Sequence, residues 1–194
     1  MGRLIQPESQ RLQLRQWYEE DRGAFAVLNA DPQVMRYFPA TFSRDQSDTI
    51  LDSLKAHINE YGWGYWALEL KSNKEFLGFV GIKHALKELP FSPCVEIGFR
   101  LAQPYWGYGY ASEAARAVFK MAFKELNLTE IVGFTALQNL PSQRVMQGLG
   151  MDRDALIFDH PLVPENNPLR PHCLYRLSSE KWLEQQGKNA LEVS

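Results

Sequence analysis

Cysteine is scarce: the chain has two, Cys94 and Cys173, among 194 residues. They form no Cys-x-x-Cys pair, and they show no metal-ligand spacing with the four histidines, His57, His84, His160 and His172. A reduced pair, buried or half-buried, is the expectation, and no metal site is expected. Charge of either sign is not in excess: 21 Lys and Arg face 23 Asp and Glu, a formal net charge of −2. A nucleic-acid binder would show a basic surplus or a basic stripe, so that class is set aside. No apolar run approaches the ~20 residues of a membrane span. The opening "MGRLIQPESQRLQLR" lacks an apolar core and does not read as a signal peptide, so the expected compartment is the cytoplasm. Neither an internal repeat nor a low-complexity segment is visible.

Aromatics are plentiful, at 12%, and many stand near glycine. That pattern suits a lined cleft and equally a bulky core. The length allows one compact domain with a sizeable core, expected over 1–194 with a frayed tail at 187–194.

The order of elements follows from periodicity. "RLQLRQW" alternates and predicts a first strand near 11–17. "DRGAFAVLNA" predicts a helix, and Asp31-Pro32 has the form of a second helix start. "FSRDQSDTILDSLKAHINEYG" is a stronger helix: Ser43 and Gln46 fit a capping box, and Ile50, Leu51, Leu54 and Ile58 form one stripe ending near Gly62. Strands are predicted at 63–70 and 76–84, joined as a hairpin through "KSNKE", and at 93–101. In the last, Val95, Ile97, Phe99 and Leu101 share one face while Glu96, Gly98 and Arg100 share the other. An amphipathic helix follows through Ala115, Val118, Phe119, Ala122, Phe123 and Leu126. Then come a strand at 129–137, a short helix at 139–150 capped by Asn139, strands near 152–160 and 172–177, and a terminal helix from Ser178 or Ser179. This is an α+β pattern with one strand–helix–strand crossover.

"QPYWGYGYASEA", residues 103–114, stands at the entry to the crossover helix. Glycines at such a place give φ > 0 or close access to the main chain. A helix start has unpaired N–H groups and a positive dipole end, so the stretch suits a phosphate. The P-loop template fails, because no Gly-Lys-Ser/Thr follows Gly107 or Gly109. The dinucleotide template fails too: Gly107, Gly109 and Ser112 give GxGxxS, outside a run of strand–helix repeats.

A third template fits. The stretch resembles the acyl-CoA pyrophosphate loop of the GNAT superfamily, the Gcn5-related N-acetyltransferases, whose motif is Gln/Arg-x-x-Gly-x-Gly/Ala. Trp106 stands at the first place, Gly109 at the fourth and Ala111 at the sixth, with Gly107 as the extra glycine. Tryptophan in place of Gln/Arg resembles the branch of ribosomal-protein N-terminal acetyltransferases, the RimJ/RimL type. "RLQLRQWYEEDRGAFAVLNADPQVMRYFP", "EFLGFVGI", "VEIGFRLAQPYWGYGYASEA" and "NLPSQRVMQGLGM" resemble successive parts of that branch, in order. The last ends in Gly-Met where Gly-Phe is common. The resemblance implies a mixed, mostly antiparallel sheet of about seven strands, flanked by helices and splayed between strands four and five.

It also implies chemistry: an acetyl group passes from acetyl-CoA to a primary amine, most simply the N-terminal α-amine of a protein such as a ribosomal protein, alternatively a small amine. The diphosphate would lie on Trp106, Gly107, Tyr108, Gly109, Tyr110, Ala111 and Ser112, with Tyr108 and Tyr110 as walls. The pantetheine arm would pair with the backbone of Phe99, Arg100 and Leu101, where a backbone N–H can also stabilise the oxyanion. Glu96 is the candidate base, through water, or else a salt-bridge or solvent residue. Ser142 resembles the proton donor to departing CoA, or it merely sits in a capped helical turn. Asn139 caps that helix and resembles a CoA contact. Arg144 can meet a CoA phosphate or lie in solvent. The acceptor side would draw on Tyr37, Phe38, Glu96, His160 and the proline-rich loop flanked by His160 and His172, either of which could serve as a second base or be plain polar surface. Dimers are common in the branch. Two other readings stay open: a catalytically silent CoA-binding module, and a generic nucleotide binder.

Overall fold

A computed structural model describes residues 4–192, and side chains among them as far as 188. The elements are β1 (Leu12–Arg15), α1 (Asp21–Ala30), α2 (Arg44–Tyr61), β2 (Tyr65–Leu70), β3 (Phe76–His84), β4 (Val95–Leu101), a short 3₁₀ turn (Gln103–Tyr105), α3 (Tyr110–Lys124), β5 (Glu130–Ala136), α4 (Leu140–Gly148), β6 (Asp152–Asp159), β7 (Pro171–Ser178) and α5 (Ser179–Glu192). The strands are hydrogen-bonded in the order β1-β2-β3-β4-β5-β7-β6. The α+β expectation holds: a mixed sheet of seven strands with five α-helices, and β4 parallel to β5.

Two compact units divide the chain. The first comprises residues 1–83 and 97–118. In it β1 and β2 are antiparallel from Leu12–Leu70 to Arg15–Ala67, and β2 and β3 are antiparallel from Tyr65–Gly81 onward. Alternation explains β1, where Leu12 and Leu14 are fully buried. Trp17, Phe25 and Phe79 continue the core in edge-to-face contacts of 5.0 and 6.1 Å. Arg15 is buried among carboxylates: its Nε donates to Glu69 at 2.6 Å and its Nη atoms donate to Asp21 at 2.8 and 3.0 Å. Burial pushes this guanidinium down, and the bonds to Asp21 and Glu69 more than reverse it.

The helix α2 starts as its sequence requires. Ser43 accepts from the Gln46 N–H, and the Gln46 side chain accepts from the Ser43 N–H. Gly62 closes it in the left-handed conformation. The helix start expected at Asp31-Pro32 is not realised. The Asp31 carboxylate takes the Gln33 N–H at 2.8 Å, and a single helical turn closes from the Met35 N–H to the Asp31 carbonyl. Pro39 then disfavours helical backbone at Phe38, so 31–43 runs on as loop.

The second unit comprises residues 84–96 and 119–194. Here β5 and β7 are antiparallel from Glu130–Ser178 to Ala136–His172, β6 lies antiparallel to β7, and β4 meets β5 in parallel at Glu96–Val132. Leu89, Val132, Phe158 and Leu174 form a core cluster against Phe91 and Phe134. Phe123 packs on Trp182 of α5 at 5.4 Å. That helix is described to Glu192, so residues 187–192 are helical. Cys94 is half-buried and Cys173 buried, both as free thiols. Among the described residues no helix is long and apolar enough to cross a membrane.

Candidate active site

The loop after β4 belongs to the first unit. Gly107 and Gly109 hold φ of 82° and 78°, the left-handed region that favours glycine. A Cβ on Gly107 would meet nothing within 4 Å, so backbone conformation rather than crowding explains that residue. The loop leads directly into α3, where the Glu113 N–H is bonded to the Gly109 carbonyl at 3.0 Å. The N–H groups before it have no place in the helical ladder. Apart from that of Trp106, which is bonded to the Gln103 carbonyl, they are the donors an anion needs, on a segment exposed from Trp106 to Gly109. These residues therefore fit the diphosphate of CoA.

The aromatics are arranged more specifically than their sequence reveals. Trp106 Nε1 donates to the Leu101 carbonyl at 2.7 Å, tying the loop to the end of β4. The tryptophan at the motif's first place thus has a local structural use. Tyr108, exposed, stacks on Tyr110 at 5.6 Å and 17°. Arg11 lies over the Tyr110 ring at 4.5 Å, and its Nη2 donates to the Tyr108 carbonyl at 3.0 Å. Glu113 holds Arg11 by an ion pair of 2.6 Å and also accepts from Ser9 Oγ. Burial raises the Glu113 carboxyl, and the bonds from Ser9 and Arg11 outweigh it, so its pKa falls below the usual range. Arg11 and Ser9 are not among the residues expected from sequence. They lie about a hundred positions from the loop, and no local spacing links them to it.

Phe99 and Arg100 are half-buried and Leu101 is buried on β4. The Arg100 guanidinium lies 4.3 Å from the Phe38 ring, so Arg100 and Phe38 come together in this unit. Tyr37 is half-buried, with the Arg36 guanidinium 4.8 Å from its ring. Tyr65, also unforeseen, sets its hydroxyl over Gly98, where any Cβ would strike it. Glycine at that point of β4 signals a close approach, though not which residue makes it. Ser112 is half-buried in the first turn of α3.

The second unit carries the remaining candidates. Glu96 is buried, 7% exposed, at its pairing with Val132. A purely solvent-facing glutamate is thereby excluded. Asn139 caps α4: its Oδ1 accepts from the Ser142 N–H at 3.2 Å, and its Nδ2 donates to Thr135 Oγ1 at 2.8 Å. One amide proton is left for another partner. The capping side chain is therefore Asn139, not Ser142. Ser142 is half-buried, and its hydroxyl has no hydrogen-bond partner among the described residues. Arg144 is exposed on α4. His160 opens the loop between β6 and β7, where its N–H donates to the Arg170 carbonyl at 3.0 Å. Its Nδ1 accepts from the Leu162 N–H at 3.3 Å, which places any ring proton on Nε2. The His172 ring lies 4.8 Å away. Burial pushes the His172 pKa down, against a hydrogen bond to the Arg170 carbonyl.

Residues 11–152 match the family described as the acetyltransferase (GNAT) domain. An Aspergillus fumigatus protein named FsC-acetyl coenzyme A-N(2)-transacetylase is 31% identical over 183 residues, covering 91% of this chain and 77% of the relative. The Bacillus subtilis uncharacterized N-acetyltransferase YnaD is 28% identical, covering 90% of this chain and 97% of its own. A GNAT-family acetyltransferase from Bacillus anthracis, solved by crystallography, superposes with a TM-score of 0.75 at 26% identity, covering 91% of this chain and 99% of the other. With the glycine loop, the seven-strand order and the family match in agreement, the chain belongs to the GNAT family and is an acetyl-CoA-dependent N-acetyltransferase.

Proposed function

We propose that the acceptor is the N-terminal α-amine of a polypeptide, such as a ribosomal protein, and that Glu96 and Ser142 manage the two protons of the transfer. Acetyl-CoA supplies the activated acyl group. Its diphosphate is assigned to Trp106–Ser112, its pantetheine arm to the backbone of Phe99, Arg100 and Leu101, and further contacts to Asn139 and Arg144. Tyr37, Phe38 and His160 are assigned to the acceptor. The whole chain, 1–194, is read as one acetyltransferase domain. The observation that carries the cofactor assignment is the left-handed pair Gly107 and Gly109 ahead of α3.

The amine must lose a proton to attack. A free α-amine has a pKa near ~8, so modest help suffices, whereas a lysine side chain near ~10.4 needs more. Glu96 is buried on β4, and a carboxyl group there can take the amine proton through water. Ser142 supports the second role because capping does not engage its hydroxyl.

The test is an acceptor screen with acetyl-CoA, read by mass, across N-terminal peptides, polyamines and aminoglycosides. Peptide α-amines are expected to be acetylated fastest. Glu96→Gln is expected to lower kcat by roughly 10²–10⁴-fold, the usual worth of a general base. Ser142→Ala is expected to lower kcat with KM for the acceptor little changed. Faster turnover of polyamines would reassign the acceptor, and a fully active Glu96→Gln would remove the base.

A further inference from the structure

Among the described residues, Arg100 is a largely enclosed guanidinium that no carboxylate answers. Its Nη1 donates to Asn29 Oδ1 at 2.5 Å. Asn29 in turn donates to Ser47 Oγ at 2.6 Å, and that hydroxyl faces the Phe25 carbonyl. Every acceptor in this chain is neutral. Nε is enclosed and has no partner. The rings of Phe38, Phe79 and Phe42 lie 4.3, 5.3 and 5.9 Å from the guanidinium. Among the described residues no carboxylate pairs with it. Burial drives its pKa down to about 10, which leaves it charged at neutral pH.

Arg15, in the same unit, gives the contrast. It is more deeply buried, and two carboxylates answer it. Enclosed charges are ordinarily paired, and enclosed N–H groups ordinarily bonded. Aromatic faces and one amide oxygen hold Arg100 in place without neutralising it. The missing component is an anion with two oxygens able to reach the Nε edge of the fork.

We propose that Arg100 is the docking point for a carboxylate carried by the acceptor. The proposal rests on the acetyltransferase reading and narrows its substrate class. Arg100 shares one face of β4 with Gly98 by strand alternation. Such a carboxylate belongs to Glu or Asp at the second or third residue of a polypeptide, or to an ω-amino carboxylate. Phe38 is the outer wall: it is 39% exposed and stands on the loop 31–43. A carboxylate displaces the ring to reach the Nε edge of the guanidinium and exchanges a ring contact for charge-assisted hydrogen bonds.

The experiment uses the full chain with acetyl-CoA and acceptors matched in pairs. One pair of peptides carries Glu or Gln at positions two and three, and a second pair is 6-aminohexanoate and its amide. Wild type is expected to favour the carboxylate member at least tenfold in kcat/KM. Arg100→Gln brings that ratio near one, and Arg100→Lys, which keeps the charge without the fork, falls between. Without ligand, Arg100→Gln is expected to melt no lower than wild type, because it removes an unanswered charge; glutarate is expected to raise the melting temperature of wild type and not of the variant. Should Arg100→Gln fail to fold, Arg100→Lys carries the same comparison.

Equal turnover of both members by wild type leaves the acetyltransferase standing and overturns the proposal. So does a preference that survives in Arg100→Gln. A preference for succinyl-CoA over acetyl-CoA that disappears in Arg100→Gln would assign the guanidinium to the acyl donor and overturn it as well. If no acceptor turns over, a glutarate shift lost in Arg100→Gln retains the carboxylate site and sinks only the acceptor assignment; no shift sinks both.

Discussion

Gly109 holds a φ of 78°, and a Cβ there would meet only Arg11 Nη2, at 3.9 Å. Space is not the constraint. A non-glycine residue in this conformation costs about 1–2 kcal/mol, more when β-branched. Gly109→Val is therefore expected to abolish measurable acetyl-CoA affinity while leaving the fold intact, with Gly109→Ala intermediate. Calorimetry reads the affinity, and circular dichroism the fold. Unchanged affinity in Gly109→Val would remove the loop from the cofactor site. A second residue gives a pH signature. Burial holds His172 below its ordinary value of 6.5, so the folded protein refuses a proton that the unfolded chain accepts. Its contribution to stability is complete above pH 6.5 and is lost as pH falls through the folded pKa. Thermal melts of wild type from pH 7 to 5 are expected to decline more steeply than those of His172→Gln. Parallel curves would count against this sign. At this scale the sequence was legible for Gly107, Gly109 and Asn139, whose roles are local. It was silent on Arg11, whose partners Tyr108 and Glu113 meet it only after folding.

Helix α2 displays the local code at the scale of an element. Ser43 and Gln46 satisfy each other's backbone N–H groups, and Gly62 supplies the left-handed stop. Removing an N-cap side chain costs about 1 kcal/mol, which in a chain of this size lowers the melting temperature by roughly 2–4 °C. Ser43→Ala is expected to show that drop, with Ser43→Asp close to wild type because aspartate caps as well. A full loss in both variants would assign the effect to something other than capping. The same code misled at Asp31-Pro32. Asp31 is as good a cap as Ser43, but its carboxylate bonds two residues on instead of opening a sustained helix. No apolar stripe follows to stabilise one, and Pro39 ends the segment. Strand boundaries at 63–70 and 93–101 also contracted, to Tyr65–Leu70 and Val95–Leu101, because pairing rather than composition sets where a strand begins.

For the molecule as a whole, a ligand that binds only the folded chain stabilises it by mass action. At a hundred times its Kd the gain is about 2.7 kcal/mol. Acetyl-CoA is expected to raise the melting temperature by several degrees in a concentration-dependent way, while ATP and NAD at equal concentration give little shift. Equal shifts from all three would indicate recognition of phosphates alone. The family and the strand order were legible in the sequence because the glycine loop, the alternating strand and the capped helix follow in a fixed order. The surroundings of β4 were less legible. Tyr65 and Phe38 reach their positions over Gly98 and Arg100 through tertiary packing, which no local spacing encodes.

The tie from Trp106 to Leu101 has an optical consequence. Of the five tryptophans, Trp17, Trp63, Trp66 and Trp182 are buried, while Trp106 is 39% exposed on the glycine loop before α3, beneath the Arg36 guanidinium. Red-edge excitation selects the solvated indole, and its quenching or blue shift then records loop occupancy in real time, with no label added to the protein.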